Sequence, residues 1–366
     1  MTGQMAESST AAEFDQVVFD MSHARHVRWA VELWNESTAH ELPITDRFLR
    51  YNCTLDAGVV RAGRFALMEG SPVGFVLCSA YPGAPSAMPT DVAGWVEAMA
   101  VAPTYQRQGI GTALLGWAES WLAYRSVPGA ESSGQLGGRE AALEQSASPR
   151  STIRIRVGGG LRPFVPGPAA DSGAEAFFLA SGYERDEEPV SWDVARSLSD
   201  YQPPPLSDVP AAARPGQPGQ EGELLGFLAR EFPGRWHWQA NRFLDEGGRI
   251  SDYMLLWTDD GVHGSCRLTF EDSASPIDRF FPYGLPRPWA QLGSIGVSAH
   301  LRGQGLGLYL LDAGLKRLHN SGINGCVIDW TTLLDFYAKC GFRPYRKWAQ
   351  LGRTLESMTE NELLDS

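Results

Sequence analysis

Two glycine-rich turns constrain this chain more than any other feature, and their starts, residues 106 and 302, lie 196 residues apart. The first runs Gln106, Arg107, Gln108, Gly109, Ile110, Gly111, and the second Arg302, Gly303, Gln304, Gly305, Leu306, Gly307. Each follows a short apolar run, Glu97 to Val101 in one case and Leu292 to Val297 in the other. Each opens a stretch of helical apolar spacing, Thr112 to Leu122 and Leu308 to Leu318. A strand that turns through glycines into a helix presents unpaired backbone N–H groups, and the positive end of the helix, to an anion. Without a Cβ, the backbone can approach a phosphate closely. Such a turn, met twice in 366 residues, predicts two versions of one domain.

The anion is narrowed by what the turns lack. A Walker loop needs a Lys after its last Gly, and neither turn has one. A dinucleotide loop needs Gly-x-Gly-x-x-Gly; the first turn has only Gly109 and Gly111, and the second spaces Gly303, Gly305 and Gly307 by two. Further along, residues 336–342 read Phe-Tyr-Ala-Lys-Cys-Gly-Phe, and residues 177–183 read Phe-Phe-Leu-Ala-Ser-Gly-Tyr. The turns, the strand end Val101-Ala102-Pro103 and these two stretches together resemble the GNAT superfamily of N-acetyltransferases. The resemblance covers nearly the whole chain, as a tandem pair. The second half, with its Cys326 to Thr331 run, is also similar to tandem acetyltransferases of bacterial secondary metabolism and to those fused to hexosaminidases.

The resemblance implies an α/β protein of two tandem GNAT-like domains, each a twisted mixed β-sheet with helices on both faces. It implies an acyltransferase that uses acetyl-CoA and passes the acetyl group directly to a small-molecule amine. CoA is then expected at Gln106, Arg107, Gln108, Gly109, Ile110, Gly111 and Thr112, and at Arg302, Gly303, Gln304, Gly305, Leu306, Gly307 and Leu308. A bulge in the preceding strand would aim amides at the thioester carbonyl, by resemblance those of Met99, Ala100 and Val101 and of Ile295, Gly296 and Val297. The Tyr of the Phe-Tyr pair usually protonates the departing thiolate in the family, which gives Tyr337 that role; its counterpart Phe178 has no hydroxyl. Glu97 stands where some members carry a catalytic Glu, and the 196-residue offset maps it to Gly293. The first half thus has a base candidate without the acid, and the second the acid without that base. Asp329, Asp335 and a water chain to His263 or His237 stay open as substitutes. The C-terminal half is expected to be catalytic and the N-terminal half a degenerate CoA-binding copy. The alternative is an acetyl-CoA-binding or sensing protein without chemistry.

Composition bounds the rest. Hydrophobic content of 43% and mean hydropathy of −0.22 fit two packed cores. A net charge of −12 argues against a nucleic-acid partner. At a CoA phosphate, oriented amides with Arg107 or Arg302 outweigh a distant, salt-screened negative surface. No apolar stretch reaches membrane-span length, and Met1 to Thr10 lacks the basic start and apolar run of a signal peptide. A cytoplasmic monomer or homodimer without membrane contact is expected. The odd set Cys53, Cys78, Cys266, Cys326 and Cys340 has no metal-like spacing and reads as reduced core residues, with no metal site.

The pattern along the chain predicts a disordered tail over 1–13, a first domain over 14–200 with a loop insertion near 127–150, and a second over 201–366. The cut falls in the proline-rich stretch 195–220. The first half opens on a predicted strand, Val17 to Asp20, and each half predicts two helices, then a β-hairpin, a strand, the glycine turn with its helix, a strand and a last helix. The hairpin turns are Glu69 to Pro72 and Asp259 to Gly261, and Thr45 is the expected N-cap of the second helix. Residues 189–194 predict a strand that closes the first domain.

Overall fold

The computed structural model describes residues 13–38, 42–54, 58–81, 92–126, 152–274 and 285–364. Apart from Glu13, the expected tail lies outside these residues, as does the expected insertion near 127–150. In chain order the described elements are β1 (Asp15–Val18), α1 (Ala24–Ser37), α2 (Asp46–Asn52), β2 (Val60–Met68), β3 (Ser71–Ala80), β4 (Val92–Val101), α3 (Ile110–Arg125), β5 (Thr152–Val157), α4 (Gly173–Ala180) and β6 (Glu184–Ser197). There follow β7 (Ala212–Pro215), α5 (Glu221–Glu231), α6 (Arg235–Asp245), β8 (Tyr253–Thr258), β9 (Gly261–Thr269), β10 (Trp289–Val297), α7 (Leu306–Asn320), β11 (Gly325–Thr331), α8 (Leu334–Ala338), β12 (Arg343–Glu356) and α9 (Glu360–Leu364).

Contacts divide the chain into two units that do not follow a single cut. One comprises residues 1–83, 92–165 and 353–366, the other 84–91 and 166–352. The expected closing strand of the first half, β6, explains the difference from a boundary near residue 200. It pairs along one edge with β11, Ser197 opposite Gly325 through Val194 opposite Ile328. Along its other edge it pairs with β12, from Ala195 opposite Arg343 to Glu184 opposite Gly352. A strand bonded on both edges belongs to the sheet that surrounds it, whatever half of the chain it comes from.

The first unit runs β1-β2-β3-β4-β5, antiparallel except for the parallel β4–β5 pair. Glu69 and Gly70 both have positive φ, 50° and 76°, which the tight β2–β3 turn requires. Thr45 caps α2 as expected, its hydroxyl accepting from the Phe48 N–H at 3.1 Å. Leu114, Leu115, Ala118 and Leu122 of α3 are buried, and so are Phe19, Phe65 and Phe75, whose rings meet edge-on or tilted.

The second unit runs β12-β6-β11-β10-β9-β8-β7, with β10 and β11 parallel. Helix α7 lays Leu306, Leu310, Leu311, Leu315 and Leu318 into a core with Leu268, Leu292, Cys326 and Ile328. Each such leucine is worth about 2 kcal/mol of burial. A second core forms where Leu224, Phe227 and Leu228 of α5 meet Phe243 of α6 and Leu255 of β8. All five cysteines are free thiols and buried, in keeping with the core reading.

Candidate functional site

The two glycine turns are built alike, bond for bond. Each begins with one turn of 3-10 helix, Pro103–Tyr105 and Ala299–Leu301. Gln106 Nε2 donates to the Val101 carbonyl at 3.0 Å, and Arg302 Nε donates to the Val297 carbonyl at 3.4 Å. Gln108 Nε2 donates to Thr104 O, and Gln304 Nε2 to His300 O, both at 3.1 Å. Gly109 and Gly305 then cap α3 and α7 in the left-handed region, at φ 88° and 85°. This register sets Gln106 against Arg302, and Arg107 at φ 64° against Gly303 at φ 79°. The arginines of the two turns are therefore one residue out of step.

Both turns have room for an anion. A Cβ built on Gly109 or Gly303 meets nothing within 4 Å, and one on Gly305 meets only Val209 Cγ1, at 3.8 Å. The start of the second turn is clamped from α5. Glu231 Oε2 accepts from the Ala299 N–H at 2.9 Å, and that bond holds the Glu231 carboxyl below the usual range. The buried Ser298 bonds His263 Nδ1 through its Oγ at 2.9 Å. His263 is thus engaged in holding the turn, and His237 bonds Asn241 at 3.0 Å.

The strands ahead of the turns part from their parallel neighbours. The β4–β5 ladder ends at Val96 opposite Val157, and the β10–β11 ladder at Gln291 opposite Val327. Beyond those points β4 and β10 keep pairing with β3 and β9 only. Both strands carry a register break, ahead of the expected residues on β4 and reaching Ile295 on β10. On β4 it falls at Glu97, leaving Met99, Ala100 and Val101 in register with Val76, Phe75 and Gly74. On β10 it falls between Gly293 and Gly296, where Ser294 has φ 48°. Ile295 lies within the break on β10, and Met99, Ala100, Val101, Gly296 and Val297 line the strand edges just after the breaks. A Cβ on Gly296 would collide with the ring of Phe232, which with Trp236 covers that stretch.

Tyr337 of α8 is buried with its ring edge-on to Phe336 and Phe342, and its hydroxyl bonds Thr331 at the end of β11. Burial is the main cause that pushes its phenol up from the usual range. Phe336 lies over the start of α7, 3.6 Å from where Gly307 would carry a Cβ. Asp335 is exposed on the first turn of α8. Phe178 sits on α4, among the residues of the second unit, against Tyr183 at 5.3 Å between ring centroids. Glu97 and Phe178 therefore fall in different units, although the sequence pairs them in one half.

Glu97 is 1% exposed. Ser79 Oγ donates to its Oε1 at 2.5 Å, and a Cβ on Gly160 would collide with the carboxylate. In the second unit the equivalent position is Gly293, and there the Gln291 side chain occupies the space a Cβ would need. Gln291 Nε2 donates to Asp329 Oδ1 at 2.8 Å, and Thr269 Oγ1 donates to Gln291 Oε1 at 2.9 Å. Beside Asp329, the Trp330 N–H donates to Asp193 Oδ1 at 3.1 Å. Asp193 on β6 escaped sequence reasoning, as did Gln291. Their signal was present but faint: a polar residue with an apolar one on either side, Trp192 and Val194 in one case and Ala290 and Leu292 in the other.

The chain superposes on a GCN5-related N-acetyltransferase from Sphaerobacter thermophilus with a TM-score of 0.62 and 16% identity, over 94% of this chain and 96% of that one. A tandem GNAT protein from the clavulanic acid biosynthesis pathway gives 0.62 and 17%, over 94% and 99%. A GCN5-related glucosamine N-acetyltransferase region of a fungal multi-domain beta-N-acetylglucosaminidase gives 0.72 and 21%, over 93% of this chain and 38% of that longer protein. At these identities the likeness shows the fold alone. Curated protein sequences gave no match. The sequence model of the acetyltransferase (GNAT) family matches residues 26–131 and again 221–342. The chain belongs to the GNAT acetyltransferase family and carries the family's domain twice.

Proposed function

We propose that this chain is an acetyl-CoA-dependent N-acetyltransferase whose second unit performs the transfer to a small amine, while the first turn holds CoA without turnover. The observation that carries this reading is the convergence, in one unit, of an open glycine turn, a strand edge released after Gln291 and the Tyr337 hydroxyl near the end of β11. Bound at such a turn, acetyl-CoA supplies an acyl group on a thioester. The amides that follow Gly303 and Gly305, with the Arg302 guanidinium, would hold the pyrophosphate. The open edge of β10 from Ile295 to Val297 would pair with the pantetheine amides and orient the acyl oxygen. Phe232 and Trp236 would keep water away from it. Tyr337 Oη would hold a proton for the leaving sulfur, and its raised basicity favours the neutral, donating phenol at physiological pH.

The first unit fits a binding copy. Its turn has the same left-handed glycine, but Glu97 is engaged with Ser79 and buried rather than presented to an acceptor. A thiol-release assay with acetyl-CoA and a panel of amines tests the reading. Glucosamine belongs in the panel because the similar fungal region is named for that acceptor, alongside spermidine and a peptide N-terminus. Release with at least one acceptor, abolished by Gly305→Glu, is expected. Binding of acetyl-CoA without release across the panel would favour a sensor instead.

A further inference from the structure

Helices α5 and α6 are joined by Phe232, Pro233 and Gly234 alone. Gly234 takes φ 104° with ψ −131°, which L side chains rarely adopt, so the link turns sharply and sets Phe232 against β10. The ring lies directly on Gly296, where a Cβ would collide with Phe232 Cζ and stand 3.0 Å from Trp236 Cζ3. Three neighbours hold it there. Phe227 lies edge-on at 5.7 Å between ring centroids, Trp236 lies at 4.6 Å, and the Arg302 guanidinium carbon stands 5.9 Å from the ring centre. Phe227 is buried, whereas Phe232 and Trp236 are half-buried. Counted back from Gly305 and Gly109, Gly296 matches Ala100, which carries a Cβ, and the α1–α2 link of the first unit spans 38–45. The edge of β10 is hemmed in on its other sides as well. Ile295 and Val297 pack against the α7 core, and deeper in the split Thr269, Gln291 and Asp329 are bonded to one another.

We propose that Phe232, seated on Gly296 and braced by Trp236, is the specificity-determining residue that restricts the second unit to a two-carbon acyl group. This rests on the N-acetyltransferase reading above, in which the strand edge from Ile295 to Val297 orients the acyl oxygen. A chain longer than acetyl needs apolar room beside that edge. On the α5–α6 face, ring and backbone are already in contact, and a packed interior yields no space unless something moves. On the α7 face the space belongs to the core. Along the split an apolar tail would lie on Gln291 and Asp329, whose hydrogen bonds it cannot replace. Of these three walls the ring is the one that a single substitution at a half-buried position removes. One methylene too many in a filled pocket costs about ten- to two-hundredfold in discrimination. A butyryl group, with two methylenes more than acetyl, is therefore refused by at least the lower figure.

The test is calorimetry of the full chain with acetyl-, propionyl-, butyryl- and hexanoyl-CoA, in a Gly109→Glu background so that only the second turn titrates. With Phe232 in place, affinity should fall along the series, by about tenfold or more from acetyl-CoA to butyryl-CoA. Phe232→Ala should erase most of that ratio, and Phe232→Leu should fall between the two. Circular dichroism checks that the variants fold; if the alanine variant does not, Phe232→Leu carries the comparison. In the thiol-release assay, the kcat/KM ratio of butyryl-CoA to acetyl-CoA should rise about tenfold in Phe232→Ala. Equal binding of acetyl- and butyryl-CoA by the parent, or an unchanged ratio in Phe232→Ala, would overturn the proposal and leave the N-acetyltransferase reading standing. Release with no amine of the panel would instead sink that reading, and the calorimetric ratios would still decide whether Phe232 measures the acyl chain.

Discussion

Gln106 and Arg302 do the same work in the two turns: each folds back on the last carbonyl of the strand before it, Val101 or Val297. The turns are thus held in one shape by different residues, and both are expected to cradle a phosphate. Isothermal calorimetry with acetyl-CoA should give two sites per chain. Gly109→Glu and Gly305→Glu should each remove one, because a side chain and its charge would occupy the cradle. A single site in the wild type would show that the first turn is only a relic of shape.

Tyr337→Phe removes one hydroxyl and its bond to Thr331. It should cost about 1 kcal/mol of stability and lower kcat about a hundredfold, with acetyl-CoA affinity nearly unchanged. Thr331→Val is the companion variant, since it removes the same bond but leaves the phenol in place. Near-normal kcat in Tyr337→Phe would reduce that residue to packing.

Asp193 makes a prediction about stability that is separate from catalysis. Its folded-state value of about 7 lies above the ordinary 3.8. Folding therefore favours the protonated form; the contribution is complete below about 3.8 and is lost as the pH rises through about 7. Asp193→Asn is neutral throughout and should escape that loss. Its Tm relative to wild type should rise between about pH 5 and about pH 8, read by scanning calorimetry. A constant difference would mean the carboxyl titrates normally.

A chain cut at residue 200 should yield two fragments that do not fold alone. Residues 201–366 lack β6, so the paired stretches of β11 and β12 lose their shared partner and expose two open edges. Residues 1–200 lack the segment 353–366 of their own unit. Expressed apart, each should be insoluble; expressed together, they should co-purify through a tag on either one. A soluble, monomeric 201–366 would contradict this.

The fold was legible where the signal is local. Gly109, Gly305 and Thr45 act where their chemistry predicts, because a left-handed turn or a cap is decided within a few residues. What escaped was non-local. Strand β12, with three arginines and a lysine between Arg343 and Arg353, shows no clean alternation, and its partner β6 lies about 150 residues earlier. Strand β7 is four residues long and ends in Pro215. The site divided in the same way. The glycine turns and Tyr337 sit in recognisable motifs, whereas the Gln291, Asp329 and Asp193 set is assembled from three strands, and no motif joins them.

The last strand also sets a timetable. The first unit waits for residues 353–366 to complete it, although its other described parts end at Val165. At about 5–20 residues per second on the ribosome, the intervening stretch takes roughly ten to forty seconds to make. For that interval the nascent first unit is unfinished, and the second cannot close either until Gly352 has emerged. The two copies of the domain are therefore obliged to mature together, once the whole of β12 has emerged. Duplicating, trimming or exchanging one of them as a cassette would strand pieces of the other.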